Sequence, residues 1–226
     1  MAFKKLNRYY KTFLGLPKSL YLSINYFGIR GIVCPILVSR RTRIKEARGK
    51  VIINAPLAFG LIKFGFSEVA MSSGKEWNVW NVSGNLSFNG TASFGVGSRL
   101  VVGKSGNLSI GDNFLITEAS DINCFYNIEI GKDVLFSWDI LVMDTDAHPI
   151  RNTENEIINP NGSIIIGDNC WIGSRVVILK NTKIGNNSIV ATSSILNKKF
   201  EKENIIIAGQ PAKVVKENIV WKRETF

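Results

Sequence analysis

Histidine and cysteine are scarce in these 226 residues: there is one histidine, His148, and three scattered cysteines, Cys34, Cys124 and Cys170, with no C-x-x-C pair. That scarcity excludes a disulfide framework and a cysteine-ligated zinc site, and buried, reduced thiols are expected instead. No run of 18 or more apolar residues occurs, which excludes a membrane-spanning helix. The basic start lacks the compact apolar core and small-residue cleavage site of a signal peptide, so a cytoplasmic protein is expected. Low-complexity tracts are missing as well. With 45% hydrophobic and 20% charged residues, the composition is that of one folded domain with a short appendage.

Acidic residues are nearly absent from the start of the chain. Residues 1–50 hold 12 of the 28 Lys and Arg against one acid, Glu46, a net +11 that leaves 16 basic and 17 acidic residues, or −1, for the remainder. Between Phe3 and Phe27 the charges alternate with Tyr10, Phe13, Leu16, Leu20, Tyr21, Ile24 and other apolar residues, and Pro17 is expected to split this stretch into two short amphipathic pieces. Such a segment suits an anionic lipid surface or a helical cap on the body. No nucleic-acid-binding motif accompanies the charge, and nucleic acid is not expected as a partner.

From Val51 onward no helical period persists, and a shorter one takes over. Steps of six from Ile166 read Ile166, Ile172, Ile178, Ile184, Val190 and Leu196, and the position four later in each step reads Cys170, Val176, Thr182, Ser188 and Ser194. One unit recurs as Ile110-Gly111-Asp112-Asn113, Ile130-Gly131-Lys132-Asp133, Ile166-Gly167-Asp168-Asn169 and Ile184-Gly185-Asn186-Asn187. A period of six inside a period of 18 predicts a coil with three flat faces and three corners, one aliphatic residue per face pointing inward and a small residue at each corner. Three segments follow: a basic amphipathic segment over 1–50, a solenoid over 51–202 with an irregular loop at about 144–162, and a tail over 203–226. Because the solenoid core is built from its own repeats, the first 48 or so residues are expected to be dispensable for folding.

Over about Leu86 to Lys216 the chain resembles the hexapeptide-repeat acyltransferases. The resemblance is carried by Ile166-Gly167-Asp168-Asn169-Cys170-Trp171-Ile172-Gly173-Ser174 and Ala208-Gly209-Gln210-Pro211-Ala212-Lys213, which are similar to motifs of the sugar and antibiotic O-acetyltransferases. It implies a mainly β fold, a left-handed parallel β-helix, here with a short N-terminal helical segment and a C-terminal helical tail, and a homotrimer.

The aliphatic pattern lapses across Asp144-Thr145-Asp146-Ala147-His148-Pro149-Ile150 and on to Gly162. A long excursion from a rigid stack is where function tends to sit. Acyl transfer from a thioester to a hydroxyl needs a general base near neutrality, and imidazole, ordinarily of pKa about 6.5, suits that task. His148-Pro149 resembles the family's catalytic His-Pro element. Asp144 and Asp146 are both candidates to accept from one ring nitrogen and hold the tautomer, with turn formation as their structural alternative. A divalent-metal reading is weaker, since the acidic pair lacks the spaced oxygen ligands of a calcium loop.

Trp171, 23 residues after His148, is expected near the base on a neighbouring rung. The resemblance implies that it and Gly173-Ser174 line the acyl-donor and acceptor site. By the same resemblance Ala191-Thr192 wall the pantetheine of acetyl-CoA, while Asn197-Lys198 and Lys213 serve its nucleotide end. A saccharide acceptor is implied, and the basic start adds a lipid-linked or membrane-proximal one, as in capsule or lipopolysaccharide assembly, with peripheral contact to the inner face of the membrane. An amino-sugar N-acetyltransferase and a silent glycan-binding or scaffold solenoid stay open. A γ-type carbonic anhydrase is excluded, because its zinc needs three histidines.

Overall fold

The computed structural model describes residues 2–66, 72 and 74–224. Among these residues twenty-two short strands wind into a parallel coil of three faces, and a twenty-third, Ala212–Lys216, folds back antiparallel on the first. The first face has nine strands, from Ile36–Val38 to Ala212–Lys216, the second seven, from Thr42–Glu46 to Ile195–Leu196, and the third seven, from Lys50–Ile53 to Lys199–Phe200. Within the parallel coil each strand pairs with the one a full turn away, so consecutive strands lie on different faces. The six-residue steps fall as expected: Ile166, Ile172, Ile178, Ile184, Val190 and Leu196 are each at most 1% exposed, and the alternate column from Cys170 to Ser194 is equally buried. In the earlier turns the inward side of the first face carries an aromatic stack. Phe64, Phe94, Phe114 and Phe136 stack one per turn with ring centroids 5.1, 5.5 and 5.2 Å apart.

The recurring unit has a steric reason. At its fourth position Asn113, Asp133, Asn169 and Asn187 adopt φ between 51° and 59°, the left-handed conformation that short amide and carboxylate side chains tolerate best after glycine. Its glycine allows close stacking of turns: a Cβ at Gly111 would lie 2.3 Å from the Gly131 carbonyl carbon, and one at Gly185 would lie 2.2 Å from the Lys202 oxygen.

Helix α1 (Ala2–Phe27) covers the start of the coil and runs unbroken through Pro17, contrary to the two pieces that the proline suggests. Pro17 faces water, where the lost backbone hydrogen bond is least costly, while the opposite stripe is pinned down. Leu22 is fully buried, and Gly15 lies so close to the Val38 carbonyl that a Cβ would approach it to 2.1 Å. The backbone N–H of Val38 donates to Ser19 Oγ at 2.9 Å and that of Ile36 to Ser23 Oγ at 3.3 Å. Residues four apart on a helix rise about 6 Å and residues two apart on a strand about 6.6 Å, so the two serines match the strand's hydrogen-bonding step.

The expected boundary at residue 50 is therefore corrected. Ile36–Val38 and Thr42–Glu46 are strands of the first turn, and removing residues 1–48 would strip Leu22, Ile36 and Val38, each fully buried and worth about 1.5–3 kcal/mol. The C-terminal helical tail is corrected as well. Ile206–Gly209 continues the first face, Ala212–Lys216 folds back antiparallel upon it, and residues 217–224 are irregular. The β-branched run Ile205-Ile206-Ile207 and Val214-Val215 favours strand here.

Outward-facing residues differ by face. On the first face Leu115, Leu135, Trp171, Ile189 and Ile206 align in one column. On the second, Leu141, Val177 and Ile195 stand beside Met143 and Leu179. The third is mostly polar, with Lys50, Asn85, Asn107 and Asn127 in one column and Ser87, Ser109 and Glu129 in the next, which ends in Ile52 and Ile165.

Candidate active site

The loop bearing His148 leaves the coil after Leu141–Met143 of the second face and re-enters at Ile164–Ile166 of the third, so it springs from the edge between them. It is an ordered hairpin: the Ile158 N–H donates to the Ile150 carbonyl at 2.9 Å and Arg151 bridges Ile157. Ala147, at φ 62°, turns the chain so that His148 stands exposed. Lys180, from the next turn of the same edge, anchors the base of the loop. Its ammonium donates to Asp146 Oδ2 at 2.6 Å and to the carbonyls of Asn159 and Pro160 at 3.1 and 2.9 Å. Asn159 Nδ2 donates to Asp146 Oδ2 at 2.8 Å and to the His148 carbonyl at 2.9 Å.

Neither candidate aspartate meets the imidazole, which corrects the orienting role considered for each. Asp144 is fully buried, and its two carboxylate oxygens accept the N–H groups of Phe125 and Tyr126, both at 2.8 Å. Beside it, burial pushes the Cys124 thiol up to about 12, with the Asp144 carboxylate adding to the effect. Asp146 is taken by Lys180 and Asn159, which hold its carboxyl below the usual range. A free backbone N–H pair and a neighbouring ammonium are better partners for a carboxylate than a solvated ring. Both residues fix the loop that carries the histidine. Asn159 and Lys180 escaped the sequence reading, since neither belongs to a repeat position or a motif.

Trp171 is on the first face, half-exposed, with its Nε1 donating to Ser137 Oγ at 3.1 Å. In a three-sided coil the first face lies opposite the edge between the second and third, so Trp171 and His148 are on opposite sides of one chain. The expected proximity on a neighbouring rung is corrected. Gly173-Ser174 and Ala191-Thr192 stack on the edge between the first and second faces, where the Ser174 and Thr192 hydroxyls approach to 3.4 Å. Lys213 is on the last strand of the first face. Asn197-Lys198 falls on the histidine's edge, between Ile195–Leu196 and Lys199–Phe200, with the Lys198 ammonium over the Phe200 ring. The residues thus form two groups: His148, Asp144, Asp146, Asn197 and Lys198 on one edge, and Trp171, Gly173, Ser174, Ala191, Thr192 and Lys213 across the coil. Trp221, unmarked in the sequence, packs on Trp171 with centroids 6.0 Å apart and donates to the Asn169 carbonyl at 2.8 Å. Among the described residues no group of three or more His, Cys, Asp or Glu could hold a metal.

Residues 163–198 match the family described as bacterial transferase hexapeptide (six repeats). The chain is 31% identical over 188 residues to an uncharacterised 24.8 kDa protein in the cps region of Klebsiella pneumoniae, covering 83% of this chain and 81% of that protein. It is 46% identical over 100 residues to a polysialic acid O-acetyltransferase of Neisseria meningitidis, covering 44% of this chain and 46% of that one. The crystal structure of a polysialic-acid-specific acetyltransferase matches the fold with a TM-score of 0.51 at 21% identity, covering 84% of this chain and 82% of the other.

Proposed function

Because this chain belongs to the bacterial hexapeptide-repeat acyltransferases, we propose that it moves an acetyl group from acetyl-CoA to a saccharide hydroxyl in a site completed between two copies of the chain. It is an acyl-CoA-dependent acyltransferase. The observation that carries the reading is the placement of His148 and Trp171 on opposite sides of the coil, joined to the apolar columns on the first and second faces. Half-exposed aliphatic columns of this kind favour burial against another copy. A ring of three puts the histidine edge of one copy against the first face of the next. The left-handed sense of the coil belongs to the same reading.

In that site the His148 imidazole takes the proton of the acceptor hydroxyl as its oxygen attacks the thioester carbonyl. It then returns the proton to the departing thiolate, with no covalent enzyme intermediate. Asp146, Asn159 and Lys180 fix the loop that holds the ring. Gly173, Ser174, Ala191 and Thr192 offer a small-residue wall along which pantetheine fits, and Lys213 of that copy, with Asn197 and Lys198 of the other, would meet the nucleotide end. The exposed stripe Tyr10, Phe13, Leu20, Tyr21 and Ile24 of α1, together with the +11 charge of residues 1–50, supports docking on an anionic bilayer. A lipid-linked glycan of capsule or lipopolysaccharide assembly fits that position.

Label from acetyl-CoA should appear in glycan with the parent, and His148→Ala should reduce transfer by about 10²–10⁴-fold, mostly in kcat, without changing the melting temperature. Full activity in His148→Ala would overturn the reading.

A further inference from the structure

The third face differs from the other two in what it shows to solvent. Where they present aliphatic columns, it presents an open trough of about 700 Å³ lined by Lys50, Asn85, Ser87, Asn107, Ser109 and Glu129 among others. The trough runs along the stack from Lys50–Ile53 to Ile164–Ile166, five strands and four steps of about 4.8 Å, or about 19 Å in all. Its far end is the strand on which the His148 loop re-enters the coil. Its rim is the edge where Phe125 and Tyr126 are 42% and 49% exposed and where the loop is tied to their backbone through Asp144.

We infer that this trough binds the acceptor as an extended, uncharged saccharide chain of about four sugar units, lying lengthwise along the stack with the acetylated unit at the His148 loop. The inference rests on the transferase reading above and names the acceptor within it. The chemistry of the lining selects the ligand. On the three middle strands Asn85, Ser87, Asn107, Ser109 and Asn127 offer carboxamides and hydroxyls that pair with sugar hydroxyls, which both donate and accept, and they repeat at a step close to the length of a pyranose, while Ile52 and Ile165 give the two ends an apolar floor. The amides are already ordered: Asn85 Nδ2 donates to Asn107 Oδ1 at 2.8 Å, and Asn127 Nδ2 to Glu129 Oε1 at 3.0 Å. Ordering before binding reduces the entropy lost on association. Exposed aromatics at the rim suit the apolar face of a sugar ring. The charged residues of the lining, Lys50 against Glu129 and Asp168, supply no cationic track for a polyanion.

The test uses two sets of oligosaccharides graded from one to eight residues, one of neutral hexoses and N-acetylhexosamines and one of sialic acid, with labelled acetyl-CoA. On a neutral glycan kcat/KM should rise over the first four or so residues and then level off. In Ser109→Arg, which lays a long side chain across the trough, the eight-residue glycan should fall about tenfold, to the level of the single sugar, with the parent's melting temperature. Equal kcat/KM for one and eight residues, preference for the sialic acid series, or an unaltered length dependence in Ser109→Arg would each overturn the trough while leaving the transferase intact. Acetylation of no glycan in either set would overturn the saccharide reading and the trough with it.

Discussion

Placing His148 and Trp171 on opposite sides of one chain makes a quantitative prediction about mixtures of two inactive proteins. His148→Ala lacks the base and should lose about 10²–10⁴-fold in rate, while Trp171→Ala lacks the first-face wall and should lose at least about tenfold. Consider trimers that contain both variants, isolated by carrying a different affinity tag on each. Around a ring with two copies of one variant and one of the other, the three contacts include one in which an intact His148 faces an intact Trp171. Such trimers should therefore recover about one third of the parental activity, and an unselected equal mixture about one quarter. Transfer of label from acetyl-CoA, measured on co-expressed and doubly purified protein, reads this directly. Mixed trimers no more active than the better single variant would place the whole site within one chain, and the argument from the three faces would fail.

Four further outcomes are expected. Asp144→Asn keeps one of the two backbone hydrogen bonds and sets an amide against the other N–H, so it should cost about 2–3 kcal/mol, a fall of about 4–12 °C in Tm measured by circular dichroism. Lys180→Met should release the base of the loop, lowering kcat while leaving the melting of the coil near the parent's. The Asp146 carboxyl is held below its unfolded value, so the ion pair stabilises the loop above the ordinary carboxylate pKa and is lost as pH falls through the lower folded value. Protease cleavage at the loop should therefore increase in that acid window in the parent, and Lys180→Met should be cleaved at every pH. Replacing Phe13 and Tyr21 with Asp should abolish co-sedimentation with anionic vesicles while leaving the melting temperature unchanged, because both side chains point away from the coil.

The repeat was legible because each of its positions has a single steric demand: an inward aliphatic residue, a glycine where turns approach, and an Asn or Asp at the left-handed corner. The irregular loop was legible as the place where that demand lapses. The pairing of His148 with Trp171 was not, because the 20 residues between Met143 and Ile164 consume chain length without advancing along the coil, and a count of residues then assigns the wrong face. The partners of Asp144 and Asp146 lie in other turns, at Phe125, Tyr126 and Lys180, or far along the same loop, at Asn159, and no local pattern marks them. Pro17 misled because the local cost of proline is outweighed by the burial of Leu22 and the serine contacts one turn away. The third face was silent in the sequence, since asparagine and serine between inward aliphatics read as ordinary solvated strand.

A coil of parallel strands has two raw ends, each a template onto which another coil could add. At the start, Ser19 and Ser23 of α1 occupy the N–H groups of Ile36 and Val38 that an incoming strand would take. At the finish, Ala212–Lys216 runs in the opposite direction to every other strand of its face, and cannot continue the winding. The first face is thus stoppered at both ends against adding further strands. The N–H groups of that first strand are met by only two hydroxyls. Exchanging them for alanine would leave the coil's interior as it is, yet open a sticky end, and the first sign would be turbidity that rises with concentration, well below the melting temperature.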